Sequence, residues 1–169
     1  NNVRASVPIT LAGLPDLVIT DVTVPATTIQ PNGTGTYTVP ISYTLKNQGV
    51  SDARSSDYRN LWQDVVYLSS DATLGASDIP VQGVGSQRGP LAPNGTVTMT
   101  ADVLIPAGTA PGTWYLLVRA DQYNLSATPD NGYIAETDES NNVRASLPIT
   151  LAPRPDLVVS DITVPVTSV

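Results

Sequence analysis

The opening of this chain returns at its end. Asn1-Asn2-Val3-Arg4-Ala5-Ser6 reappears as Asn141-Asn142-Val143-Arg144-Ala145-Ser146, and Pro15-Asp16-Leu17-Val18 as Pro155-Asp156-Leu157-Val158. The offset is 141 − 1 = 140 residues throughout, and 20 of the 29 aligned positions (1–29 on 141–169) are identical. Most of the remaining pairs exchange Val, Ile and Leu, or Ser and Thr. A solenoid unit runs to roughly 20–50 residues, so a 140-residue period is the size of an autonomous domain. The chain therefore reads as one period of a tandem array, cut out of register. Residues 1–14 are the last strand of a preceding copy, 15–152 a complete module, and 153–169 the first strand of a following copy. Arrays of near-identical domains serve length, valency or adhesion, because chemistry needs one good site rather than many copies.

Composition narrows the chemistry further. Apolar residues make up 41% of the chain, enough for a module of this size to bury a core without staples. Cys and His are both absent. That excludes disulfides, thiolate or imidazole metal ligands, and every Ser-His or Cys-His nucleophile pair. No apolar run is long enough to span a bilayer, which needs about 18 residues or more. The net charge of −7 argues against nucleic acid or an anionic membrane as partner. Glu136 and Glu139 are the only glutamates among 15 acids, leaving 15 − 2 = 13 aspartates. Aspartate favours turns and is a preferred Ca²⁺ ligand, whereas glutamate favours helices.

The chain carries 15 Pro and 12 Gly, and between these breaks its pattern is that of strands. Tyr37, Val39, Ile41, Tyr43 and Leu45 alternate with polar neighbours, as a half-buried strand requires. Val97, Met99, Ala101, Val103 and Ile105 do the same, as do Val143, Ala145, Leu147, Ile149 and Leu151. Pro148 cannot donate to a ladder, which places that last strand at an edge or bulges it there. Residues 62–68 and 114–120 are apolar on both faces and read as central strands. Seven strands follow, over 16–24, 36–47, 62–69, 79–84, 96–105, 113–121 and 142–151. Pro31-Asn32-Gly33-Thr34 and Pro93-Asn94-Gly95-Thr96 are two versions of one turn. The fold class this predicts is an all-β immunoglobulin- or fibronectin-III-like sandwich without a disulfide.

Six segments in order resemble the CARDB domain, the "cell adhesion related domain found in bacteria". They are Pro15-Asp16-Leu17-Val18-Ile19-Thr20-Asp21, Tyr43-Thr44-Leu45-Lys46-Asn47-Gln48-Gly49, Trp62-Gln63-Asp64-Val65-Val66-Tyr67-Leu68-Ser69, Leu91-Ala92-Pro93-Asn94-Gly95, Pro111-Gly112-Thr113-Trp114 through Asp121, and Glu136-Thr137-Asp138-Glu139-Ser140-Asn141-Asn142. The resemblance covers the whole module. It implies an Ig-like sandwich of surface and secreted proteins, often in tandem, with no catalytic activity. A longer linker over 70–91 departs from the pattern.

The Asp-rich loops are the candidates for chemistry. In such a sandwich the loops after the second and sixth predicted strands share one end. The first carries Asp52 and Asp57 and leads to Asp64. The second runs from Asp121 through Asn124, Asp130, Asn131, Glu136, Asp138 and Glu139. These hard oxygens suit Ca²⁺, which takes six to eight. The competing reading is that Asp and Asn make turns and satisfy loop amides. Asp71 and Asp78, expected at the opposite end, either share a cation or cap turns. Glu136 and Glu139 lack an aromatic platform and read as structural acids rather than a glycosidase pair. Trp62 and Trp114 are expected in the core, whereas Tyr58, Tyr123 and Tyr133 lie in loops of the Asp-rich end, where a sugar ring would stack.

The function expected is that of a non-catalytic extracellular module in a surface protein, acting as spacer and in adhesion, with Ca²⁺ stiffening it through the acidic loops. The alternative is a module that binds a cell-surface glycan or protein through its Asp-rich end. The partners expected are neighbouring repeats of the same protein. The flanking strands are expected to be ordered by neighbours, including by head-to-tail strand exchange, while the internal copies fill the sandwich.

Overall fold

A computed structural model of the chain describes residues 4–55, 61–88, 90–122 and 132–164. Among these it has nine strands and no helix: β1 (Leu17–Thr23), β2 (Thr28–Ile29), β3 (Tyr37–Asn47), β4 (Leu61–Ser69), β5 (Ile79–Arg88), β6 (Thr96–Ile105), β7 (Gly112–Arg119), β8 (Val143–Ala145) and β9 (Ile149–Leu151). One sheet has the order β1-β3-β6. The other has β2-β9-β7-β4-β5, with β8 also paired to β7. The two face each other as a sandwich.

Alternation decides which side chains lie between the sheets. β3 turns Tyr37, Val39, Ile41, Tyr43 and Leu45 inward, all buried. β4 turns Trp62, Asp64, Val66 and Leu68 to the same interior. Leu17, Ile19, Val103, Ile105, Leu116, Val118, Ile149 and Leu151 complete the core. Each such side chain contributes about 1.5–3 kcal/mol when it leaves water.

Seven predicted strands become nine. The 142–151 segment is split into β8 and β9, and the interruption falls on the stretch that ends at Pro148. Both halves still pair with β7. At the break, Ser146 replaces the ladder: its Oγ accepts the Leu116 N–H at 3.1 Å and its own N–H donates to the Leu116 carbonyl at 2.8 Å. β2 is new, a two-residue strand running parallel to β9. The 79–84 strand extends to Arg88, its pairing with β4 twice interrupted by register shifts. Trp62 is buried as expected, while Trp114 packs at the margin of the core with its indole N–H on the Ala110 carbonyl at 3.0 Å.

A second apolar cluster lies on the outer face of β4 and β7, made by Val65, Tyr67 and Leu117. Leu74 packs on it, so the segment between β4 and β5 folds back over this face. Asp71 and Asp78 flank the segment at the end opposite the acidic loops, where Leu68 pairs with Ile79, while the residues between them turn back to cover Tyr67 and Leu117. A cleft then lies between Thr73 and Leu74 on one side and Glu139 and Ser140 on the other.

Of the repeated segments, the internal copies form β1, β8 and β9. Their equivalents at 4–13 and 155–164 form no strand and lie exposed, with Val7, Ile9, Leu11, Leu157, Val159 and Ile162 in solvent.

Candidate functional site

β3 and β4 cross the sandwich with their inward faces opposed, which brings Tyr43 to Asp64. The Tyr43 hydroxyl donates to Asp64 Oδ2 at 2.7 Å, a bond from one sheet to the other. Burial and the adjacent Asp64 carboxylate push the Tyr43 hydroxyl far above its ordinary pKa, so it stays a donor. Asp64 Oδ1 accepts the N–H of Asp121, the second residue beyond the end of β7, at 3.2 Å. Beside it the Gln122 N–H donates to the Gln63 carbonyl at 2.7 Å.

Asp121 has a left-handed backbone (φ 48°), a conformation that Asp tolerates better than most residues. Its carboxylate turns onto the returning chain, accepting the N–H of Tyr133 at 3.0 Å and that of Ile134 at 2.8 Å. Gly132 is required there. Its φ is +67°, and a Cβ would stand 2.2 Å from Asp121 oxygens.

Glu136 closes the set. Its carboxylate accepts the backbone N–H of Leu17, at the start of β1, and the Asn142 side-chain amide at 2.8 Å. Burial is the largest influence on it. The Leu17 and Asn142 bonds oppose that effect, Asp121 and Glu139 reinforce it, and the carboxyl is pushed up to about 8. Glu139 Oε1 accepts the Glu136 N–H at 3.0 Å. Asp138 is exposed and binds the Ser140 hydroxyl and N–H, which holds its carboxyl below the usual range.

The described acids of the two loops are thus gathered at one end of the sandwich, as the topology predicts, but their oxygens are taken up by backbone N–H groups and by the side chains of Tyr43, Arg54, Ser140 and Asn142. Asp71 and Asp78 behave likewise: Asp71 Oδ1 accepts the Thr73 N–H at 2.7 Å, and Asp78 Oδ2 the Gly75 N–H at 2.8 Å. Among the described residues no group of three or more Asp or Glu is placed to hold a metal ion. Asp52 pairs with Arg54 at the surface, 3.0 Å apart. Both line a shallow cleft with Tyr133 and Glu139. Asp57, Tyr58, Tyr123, Asn124, Asp130 and Asn131 lie outside the described residues. The two Asn-Gly-Thr sites are turns: Asn32 Oδ1 accepts the Thr34 and Thr36 N–H groups, and Asn94 takes a left-handed backbone.

Two further arrangements were not among the expected site residues, although the first falls within the Tyr43–Gly49 segment that resembles the CARDB domain. Asn47, wholly buried at the end of β3, is the pin of the acidic end. Its Oδ1 accepts the N–H groups of Asp16 (3.1 Å) and Gly49 (3.0 Å), and its Nδ2 donates to the carbonyls of Ser51 and Leu91, both at 2.8 Å. At the other end, Tyr37 donates its hydroxyl to the Ala152 carbonyl at 2.5 Å, and the Arg154 guanidinium lies 5.1 Å over the Tyr37 ring. The only signal for the first was that family-like segment; the second had none, because Arg154 and Tyr37 are distant in sequence.

Comparison with known proteins adds the family. No curated protein matches the chain. Among solved structures it is similar to a CARDB domain of Pyrococcus furiosus crystallised in complex with di-metal ions. The TM-score is 0.51 at 16% identity, over 84% of this chain and 97% of that one. The solution structure of a CARDB domain from the same organism matches with a TM-score of 0.50 at 16% identity, over 82% and 96%. At such identity the likeness shows the fold alone. The sequence profile of the CARDB family matches residues 14–146, nearly the whole sandwich, and the chain belongs to the CARDB domain family.

Proposed function

We propose that this chain is a non-catalytic spacer module of an extracellular tandem array that serves in cell adhesion. CARDB domains are an adhesion-related family, which supports the class of function. One observation carries the spacer reading. The chain docks onto the sandwich through Asp16 at the Asn47 end of β3 and leaves it through Ala152 at the Tyr37 end. β3 has 11 residues and, at about 3.4 Å each, spans roughly 35 Å. A module with its two connections at opposite ends adds its full length to an array. The 140-residue repeat supplies the neighbours.

The test is binding by one module and by three in tandem, on a glycan array and on whole cells. A spacer stays silent in both. Binding that climbs steeply with copy number would replace this reading by that of a weak multivalent binder using the acidic end.

A second reading adds a divalent cation. It is favoured by the crowding of Asp121 and Glu139 around Glu136 and by the di-metal ions of the Pyrococcus furiosus relative. Ca²⁺ needs more oxygens than the described acids assemble. Thermal melts in EDTA, in millimolar CaCl₂ and in MgCl₂ decide it. A Ca²⁺-specific rise would add a cation-stiffened rod, and identical melts would leave these acids as loop pins.

A further inference from the structure

The two connections of the module differ in what they leave exposed, and the 140-residue offset relates them residue by residue. On the N-terminal side, the Leu14 carbonyl accepts the Val50 N–H at 3.2 Å and the Pro15 carbonyl accepts the Thr137 N–H at 2.9 Å. Pro15 is buried, and Gly49 lies so close that an added Cβ would stand 2.5 Å from the Pro15 carbonyl carbon. The chain is therefore already fixed to its sandwich from residue 14 onward. On the C-terminal side, the Ala152 N–H donates to the Ile29 carbonyl at 2.9 Å. Arg154 then folds back: Nε donates to the Gly35 carbonyl at 2.6 Å and Nη1 to the Thr109 carbonyl at 3.3 Å, over the Tyr37 ring. The chain is still fixed to the same sandwich at residue 154.

Subtracting the offset, 154 − 140 = 14: Arg154 occupies the position of Leu14 in the next copy. We infer that Arg154 is a two-sided clasp between adjacent modules. Its side chain is held by the upstream sandwich at Gly35, Tyr37 and Thr109, and its backbone carbonyl by the downstream copy's counterparts of the Val50 N–H and of the Thr137 hydroxyl, which donates to the Leu14 carbonyl at 3.4 Å. This inference rests on the tandem-array reading above. It leaves no free residue in the connection, so the partner surface of the Tyr37 end is the Asp-rich end of the following copy, seated directly on it. The guanidinium also suits that partner, since Asp16, Asp52, Asp138 and Glu139 all lie at or near the facing end. One adjustment is needed. A Cβ at Gly13 would stand 2.5 Å from Val50 Cγ2, and the next junction has Pro153 there. Val50 is exposed and free to swing away. The clasp also distinguishes junctions: where residue 14 is Leu, the guanidinium is missing and the joint bends.

The test is a two-copy protein in which residues 1–154 run directly into a second 15–169. The chain has no cysteine, so Thr38→Cys, on the exposed face of β3, gives one spin label in each copy. The expected result is one narrow inter-label distance distribution, broadened at least about twofold by Arg154→Ala in the first copy and equally by Arg154→Leu. A native distribution as broad as the variants', or variants as narrow as the native, overturns the clasp. Amide exchange of the second copy's β1 separates the two ideas. If that strand is protected and the distances are broad, the array reading stands and the clasp falls. If it is unprotected, the array reading itself falls.

Discussion

The Leu17 backbone N–H donates to a carboxyl oxygen of Glu136, 119 residues further along the chain. That bond ties the start of β1 to the loop returning from β7, and it does so with an acid in a site that disfavours charge. The carboxyl is held near 8 against an ordinary 4.5. Between those values the folded protein keeps a proton that the unfolded chain has released. The stability drawn from protonated Glu136 is therefore complete below about pH 4.5 and lost as pH rises through 8.

Urea unfolding at intervals from pH 5 to pH 9 should show wild type losing about 2–4 kcal/mol relative to Glu136→Gln over that range. The variant keeps an acceptor for Leu17, and its new amide can donate to Asn142 Oδ1, which is buried without a partner. Parallel pH profiles for the two proteins would refute the assignment.

Asn47→Ala removes an acceptor for two N–H groups and a donor to two carbonyls at a wholly buried position. Leaving such groups unpaired costs about 3–5 kcal/mol in all. Equilibrium denaturation measures it. A loss under about 1 kcal/mol would mean that water replaces the side chain.

Gly132→Ala should cost about 3 kcal/mol or more, since it meets both a left-handed backbone and the Asp121 oxygens. The same substitution at Gly33, with nothing within 4 Å of an added Cβ, should change stability by less than about 1 kcal/mol. Paired melts of the two variants check the contrast.

Tyr43→Phe deletes the cross-sheet donor to buried Asp64 and should cost about 1.5–3 kcal/mol. In the native protein the Tyr43 hydroxyl should stay un-ionised through the range where exposed tyrosines titrate, near pH 10. Ultraviolet difference titration of wild type against this variant reads it directly.

Much of this was legible in the residues. Alternation from Tyr37 to Leu45 fixed β3 and its inward face, while Pro148 signalled an edge or a bulge in one strand where the chain instead divides into β8 and β9, with β9 between β2 and β7. The gathering of acids at one end followed from topology. What could not be read was where each oxygen points. Asp64 stands at a core position of β4 and looks, by type alone, like a ligand; only its partners Tyr43 and Asp121 reveal a pin. β2 escaped because two residues carry no period and depend on β9 for their pairing. Arg154 escaped for a similar reason: its partners Gly35, Tyr37 and Thr109 are neighbours only after folding.

In the array proposed above, the opposite placement of the two connections would also set how the module carries a load. A pull along its long axis draws β1 away from β3, and β9 away from β7, in the direction of the strands themselves. The ladder bonds lie across that direction, so each pair slides as a unit, with many bonds loaded at once. Peeling, which would break them one at a time, needs a force from the side that an end-to-end tether does not deliver.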